Sequence, residues 1–167
     1  MLAGGLPSFE HVPRLRYTEM VFAEAMRLYP PTWILGRRPV KDYEVGGYTV
    51  PAGATVILSP YVMHHDERYF PAPFRFEPEH WAEAGRSSRP EFSYFPFGGG
   101  RRRCIGESFA WMEGILILAT LARNWRLTAV PGRRVELQPG MVLRSRHGMH
   151  MRAERRGELK RVLMTTG

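Results

Sequence analysis

The chain has 167 residues, 44% hydrophobic and 24% charged, a balance that suits one soluble globular domain with a sizeable core. Its single cysteine, Cys104, excludes an intramolecular disulfide framework. The formal charge of +8 leaves nucleic acid, a membrane surface or an acidic protein open as partners. Only Lys41 and Lys160 among the 24 basic residues are lysines, and an excess of arginine suits carboxylates, which it grips in a bidentate fork.

The amino end, MLAGGLPSFEHVPRL, has no basic region followed by an apolar core, so it carries no signal-peptide pattern. Residues 1–12 read as a lead-in with nothing ahead to cover the first helix. That helix is expected at 14–29: Pro13 opens it, RLRYTEMVFAEAMRLY holds no Gly or Pro, and Pro30-Pro31 stop it. From Thr32 to Leu58 the short runs WILGRRPV, YEVGGYTV and ATVILS, punctuated by Gly46-Gly47 and Pro51-Ala52-Gly53, predict a small antiparallel sheet. PYVMHHDERYF predicts a short helix and PAPFRFEPEHW a meandering loop. A second long helix is expected from about Gly106 to Asn124. Its apolar run GILILATLA is far too short to span a bilayer, so a cytoplasmic protein is expected. RRVEL, MVLRSR and HGMHMRAER predict closing strands, and residues 157–167 a frayed, flexible tail. This order lacks the regular alternation of a doubly wound sheet and predicts an α+β fold.

The cysteine lies in FPFGGGRRRCIGESFAWME, between a glycine turn and a helix start. Gly98 and Gly100 can adopt positive φ and leave room for something flat. The helix start and the neighbouring arginines favour an anion at Cys104, and Gly106 permits backbone amides to turn toward the sulfur. Four readings are open: a buried structural cysteine, a phosphate-cradling loop, a catalytic nucleophile, and a thiolate ligand of haem iron. The phosphate reading lacks either glycine-loop spacing. The nucleophile lacks a nearby histidine base. Zinc is disfavoured because one cysteine with His64-His65 lacks ligand spacing.

The stretch resembles the haem-binding signature of cytochromes P450, F-x-x-G-x-R-x-C-x-G, with Phe97, Gly100, Arg102, Cys104 and Gly106 in every fixed position. Upstream, EAMR matches the family's E-x-x-R with Glu24 and Arg27, three apart on one helix face. YEVGGYTVPAGATVILSPYVMHHDERYFPAPFRFEPEHW continues the likeness, which runs over residues 7–156. The resemblance implies the carboxyl-terminal portion of the P450 fold, helices plus small antiparallel sheets in an incomplete domain spanning 13–156. A truncated gene product or one part of a split gene, with a separate amino-terminal P450 segment as partner, fits that expectation.

The resemblance also implies roles. Cys104 ligates the iron of haem b within the loop 95–106, and Arg102 holds its propionates together with Arg37, for which Arg38 next door is the alternative. Phe97 packs near the sulfur, while Gly98, Gly100 and Gly106 give clearance. Glu24 and Arg27 form a buried pair beneath the loop. His80, in PEHW, stands where the family carries an arginine; histidine is not permanently charged, so the network is expected to weaken when its ring is neutral. Thr32, Trp33, Ile34, Leu35, Met141 and Val142 are candidates for lining a hydrophobic substrate pocket. The implied activity is insertion of one oxygen atom of O₂ into an organic substrate. Electrons would come from NAD(P)H only indirectly, through a ferredoxin, flavodoxin or flavoprotein reductase docking near Arg101 and Arg103. Two rival readings are a basic module binding nucleic acid or another polyanion, which leaves the loop spacing unexplained, and a degenerate haem-binding remnant without catalysis. No nucleic-acid partner is expected.

Overall fold

The computed structural model describes residues 5–156. Four helices, α1 (Arg16–Leu28), α2 (Pro60–His64), α3 (Glu83–Ser87) and α4 (Glu107–Asn124), are joined by short strands and by 3-10 turns at Phe9–Arg14, Pro78–Trp81 and Gly100–Arg102. The strands are β1 (Leu35–Arg37), β2 (Tyr43–Val45), β3 (Tyr48–Val50), β4 (Val56–Leu58), β5 (Trp125–Ala129), β6 (Leu137–Pro139), β7 (Leu143–Ser145) and β8 (Met151–Arg155). This is an α+β assembly of helices and small antiparallel ladders, as the resemblance implied. The expected tail, 157–167, lies outside the described residues.

Helix α1 is free of Gly and Pro and stops before Pro30-Pro31. It starts later than the expected residue 14 because Phe9–Arg14 closes a 3-10 turn around Pro13. That lead-in is not idle: Arg123 near the end of α4 donates to the Gly5 carbonyl. One side of α1 meets α4, where the Phe22 ring stands edge-on to Trp111 at 5.3 Å. A Cβ at Gly114 would lie 2.4 Å from the Phe22 ring, so the absence of a side chain there sets how close the helices come. Another side contributes Ala23 to the core beside Phe70 and Trp81, with Met20, Tyr69, Tyr94 and Trp111 around them.

All pairing is antiparallel and two-stranded among the described residues: β1 with β4, β2 with β3, β5 with β8, and β6 with β7. The single sheet expected over 32–58 is therefore two ladders. β2–β3 is a hairpin closed by Gly46-Gly47, and the β1–β4 ladder lies outside it. Pro39 and Pro51 stand in the connections, and neither can donate a ladder hydrogen bond that would fuse the two. Helix α2 is shorter than the expected 60–70, opening at Pro60 with the Ser59 hydroxyl accepting from the Val62 amide at 3.2 Å. Helix α3, inside the stretch after PEHW, was not foreseen.

At the carboxyl end the strands are displaced from the expected runs. β5 begins immediately after α4 and pairs with β8, a partnership the sequence reading did not contain. RRVEL becomes strand only at Leu137, because a turn, with the Arg133 amide donating to Val130, occupies its start. HGMHMRAER becomes strand only from Met151.

Candidate functional site

The Glu24 and Arg27 side chains have no solvent exposure and pair at 2.8 Å. Every N–H of the Arg27 guanidinium is used. Nε and Nη2 grip the two Glu24 oxygens at 2.9 and 2.8 Å. Nη1 donates to the carbonyls of His64 and Pro73, at 2.8 and 2.7 Å, and Nη2 also to Arg75 at 3.0 Å. Glu24 Oε1 additionally accepts from the Glu77 amide and Oε2 from the Trp81 indole, both at 2.9 Å. Burial alone would raise the Glu24 pKa; the bonds from Arg27, Glu77 and Trp81 outweigh it and hold the carboxyl below its ordinary value.

His80 Nδ1 stands 3.3 Å from Glu24 Oε1, so Glu24, Arg27 and His80 come together. A ring with its proton on Nδ1 can donate there whether neutral or charged. Next to it Arg89 lies over the rings of Phe70 and Trp81, each at 4.8 Å, and donates to the His80 carbonyl at 2.9 Å. The pair makes no direct hydrogen bond to the loop 95–106; its partners lie in residues 64–81. Two residues reach from the core to the segment entering that loop. The Phe95 amide donates to His64 Nε2 at 2.9 Å, and the Tyr94 hydroxyl donates to the Ala23 carbonyl at 3.2 Å. His64 is fully buried and Tyr94 partly so: burial pushes the Tyr94 phenol up, and it pulls the His64 imidazole down to about 3.

The loop folds on its own backbone. The Gly98 amide donates to Phe95, Arg103 to Gly100, and Cys104 to Phe97 at 3.0 Å. Gly98 (φ +74) and Gly100 (φ +63) hold left-handed conformations that a side chain would strain. A Cβ at Gly100 would meet nothing within 4 Å, and one at Gly106 would lie 3.8 Å from the Cys104 sulfur. Cys104 is exposed, Ile105 after it fully so, and α4 begins two residues later with no side chain capping its first amides. Phe97 packs toward Trp111 at 6.4 Å between ring centres. Arg103 is engaged by Glu107, while Arg101 and Arg102 make no side-chain hydrogen bond among the described residues. A cleft of about 240 Å³ lies beside the loop, lined by Phe92, Phe97, Gly98, Arg103, Glu107 and Trp111, and not by Cys104.

Arg37 is exposed on β1, its Nη1 turned to the Gly36 carbonyl. Leu35, two residues earlier and on the same strand face, comes within 3.7 Å of where a Gly98 Cβ would be. The segment after α1 also meets the late turn: the Trp33 indole donates to Gly140, and the Leu143 amide to Pro31. That places Thr32–Leu35 beside Met141 and Val142, with Met141 almost wholly exposed.

Sequence reasoning missed His64, Trp81, Tyr94 and Arg89. His64 had been weighed only as a zinc ligand. Trp81 carried a signal in its composition, since a buried indole N–H needs an acceptor and Glu24 supplies it. Among the described residues no helix is long and apolar enough to cross a membrane.

Residues 2–151 match the family model described as Cytochrome P450. The chain is 42% identical over 143 residues to cyclooctatin synthase of Streptomyces melanosporofaciens, covering 86% of this chain and 31% of that protein. It is 43% identical over 132 residues to cyclooctat-9-en-7-ol 5-monooxygenase of the same organism, covering 79% and 29%. A cyanobacterial P450, CYP120A1, solved with retinoic acid bound, superposes with a TM-score of 0.85 at 29% identity, covering 93% of this chain and 36% of that one. The chain thus spans about a third of the length of the curated relatives it matches. With the signature loop, the buried pair and the fold all in agreement, the chain belongs to the cytochrome P450 family.

Proposed function

We propose that this chain forms the thiolate side of a haem monooxygenase, with Cys104 as the axial ligand of the iron. The observation that carries this is an exposed thiol beside Gly106, at a helix start, following a glycine turn with open space at Gly100. The donor set fits haem: a sulfur near uncapped helix amides, no side chain crowding Gly100, and Arg102 free to reach a propionate. Arg37, on the strand face that carries Leu35 toward Gly98, is the second propionate candidate. When bound, thiolate-ligated haem would supply the cleavage of O₂ and the transfer of one oxygen atom to substrate, with two delivered electrons and two protons taking the other to water.

This chain's own residues then hold, orient and exclude. Cys104 stands just ahead of helix α4, and Phe97 ties the loop to that helix through Trp111. Trp33, Leu35 and Met141 offer apolar surface to a hydrophobic substrate, a role supported by the meeting of their two segments. Arg101 presents a cation to an acidic electron-donor protein fed by NAD(P)H; Arg103 contributes less, because Glu107 engages it. The relative that is a monooxygenase supports the reaction class.

Reconstitution with haem, reduction and exposure to carbon monoxide tests the proposal. The chain should give the strongly red-shifted Soret band of thiolate ligation, and Cys104→Ser should abolish it. An unaltered spectrum in the serine variant would refute the assignment. A salt-dependent shift with DNA or RNA and no haem uptake would favour the polyanion-binding reading instead. The isolated chain should also show little or no coupled turnover with NAD(P)H, because water is not excluded from a haem face this chain does not cover. Adding the remainder of the family domain as a separate chain should raise it; no rise would favour the non-catalytic remnant.

A further inference from the structure

The Glu24–Arg27 pair is saturated by hydrogen bonds, yet none of them goes to the loop that carries Cys104. The hydrogen bonds that lead from Arg27 to that loop run through His64. The His64 carbonyl accepts from Arg27 Nη1 at 2.8 Å, and the His64 ring accepts the Phe95 amide at 2.9 Å. Phe95 in turn accepts the Gly98 amide at 2.9 Å, and Phe97 accepts the Cys104 amide at 3.0 Å. The His64 ring also packs against Tyr94, 4.9 Å between centres, and Tyr94 bonds back to Ala23 beside Glu24.

We infer that His64 is the positioning residue through which the buried ion pair fixes the Cys104 loop, acting as a neutral imidazole that accepts the Phe95 amide. The inference rests on the haem-thiolate reading of that loop only for its functional consequence; the positioning itself is a property of the chain without haem. Two observations carry it beyond a packing role. Because Nε2 is the acceptor, the proton of the neutral ring sits on Nδ1. Nδ1 is buried and has no hydrogen-bond partner among the described residues. A phenyl ring of similar size would fill the place without that unpaired donor, so what the imidazole adds is the acceptor. A charged ring could not serve, since both nitrogens would then be donors facing the Phe95 N–H. His65 Nδ1 is turned instead to the Tyr61 carbonyl. Burial is what chiefly opposes protonation of His64; the His65 and Arg27 charges add to it, against the Arg27 backbone, which favours it.

Nitrogen NMR on the apo chain should find the His64 ring neutral, with its proton on Nδ1, from about pH 5 to about pH 8. Amide exchange at Phe95, Gly98 and Cys104 should be at least about tenfold faster in His64→Phe than in the native chain. His64→Gln, whose carbonyl can reach the same amide, should stay within about threefold. In the haem-loaded chain, the thiolate fraction of the carbon monoxide complex should fall in His64→Phe and be kept in His64→Gln. If His64→Phe does not fold, His64→Asn replaces it: its shorter side chain falls short of the Phe95 amide and should lose protection where Gln keeps it. A protonated ring, an Nε2–H tautomer, native exchange rates in the Phe variant, or equal loss in Gln and Phe would each overturn the inference. Failure of every variant and the native chain to take up haem, with the exchange pattern intact, would count against the haem reading alone.

Discussion

At the scale of single residues, the centre at Glu24 and Arg27 is the costliest place to disturb. Arg27→Met would leave the Glu24 carboxylate buried without its counter-ion, and three backbone carbonyls without their donors. The expected loss is about 3–5 kcal/mol, read as a fall in the urea midpoint. Arg27→Lys keeps the charge but not the fork, and should fall between the two. Acid acts on the same neighbourhood in two windows. Glu24 is held below 4.5, so its contribution is complete above about that pH and is lost as pH falls through the lowered value. His64 titrates near 6.5 when unfolded but near 3 when buried, so between these the unfolded state binds the extra proton and stability falls as pH falls. Denaturation curves should therefore weaken already below pH 6.5, with a slope of at least about one proton, since burial lowers His65 in the same direction. In His64→Gln the slope between 6.5 and 4.5 should fall by about one proton, leaving the part that His65, which burial also lowers, contributes above the Glu24 phase. An unchanged slope in that variant would assign the proton elsewhere.

At the scale of elements, the 3-10 turn Pro78–Trp81 is the bracket that presents His80 and Trp81 to Glu24, and α3 clamps it from outside. A Cβ at Gly85 would lie 2.5 Å from the His80 carbonyl oxygen, a backbone atom that cannot swing aside. Gly85→Ala should thus cost about 1–3 kcal/mol despite alanine's better helix propensity, and should shift Trp81 fluorescence as its indole leaves Glu24. Normal stability with native fluorescence would show that α3 can slide. The long helices, the loop between them and the residue types at 24, 27, 80 and 104 were legible because each rests on local pattern: missing helix breakers, paired glycines, fixed motif spacing. The route from Arg27 through His64 to Phe95 was not legible, since it joins residues 37 and 31 positions apart through a carbonyl and a ring nitrogen. The β5–β8 pairing was missed for a related reason, as ladder partners depend on what the turns bring back rather than on either strand's composition. Strands of three residues are also too short to announce a period.

At the scale of the molecule, the buried core around Ala23, Phe70 and Trp81 is small, and much apolar surface remains outside it. Phe109, Ile117 and Leu121 are exposed along one side of α4, and Ile105 and Met141 almost wholly so. An environment-sensitive apolar dye should bind the isolated chain strongly. Its signal should drop when the rest of the family domain is supplied as a second chain, and drop further with haem; a signal indifferent to both would mean that these faces are not the ones being covered. The ladders add a separate hazard. Among the described residues each is only two strands wide, so its margins carry amides and carbonyls outside the ladder, of which Leu143 on β7 already finds Pro31. Concentrated or warmed, the chain should recruit copies of itself along those margins, so handling it dilute and cold will decide whether clear solution or precipitate is recovered.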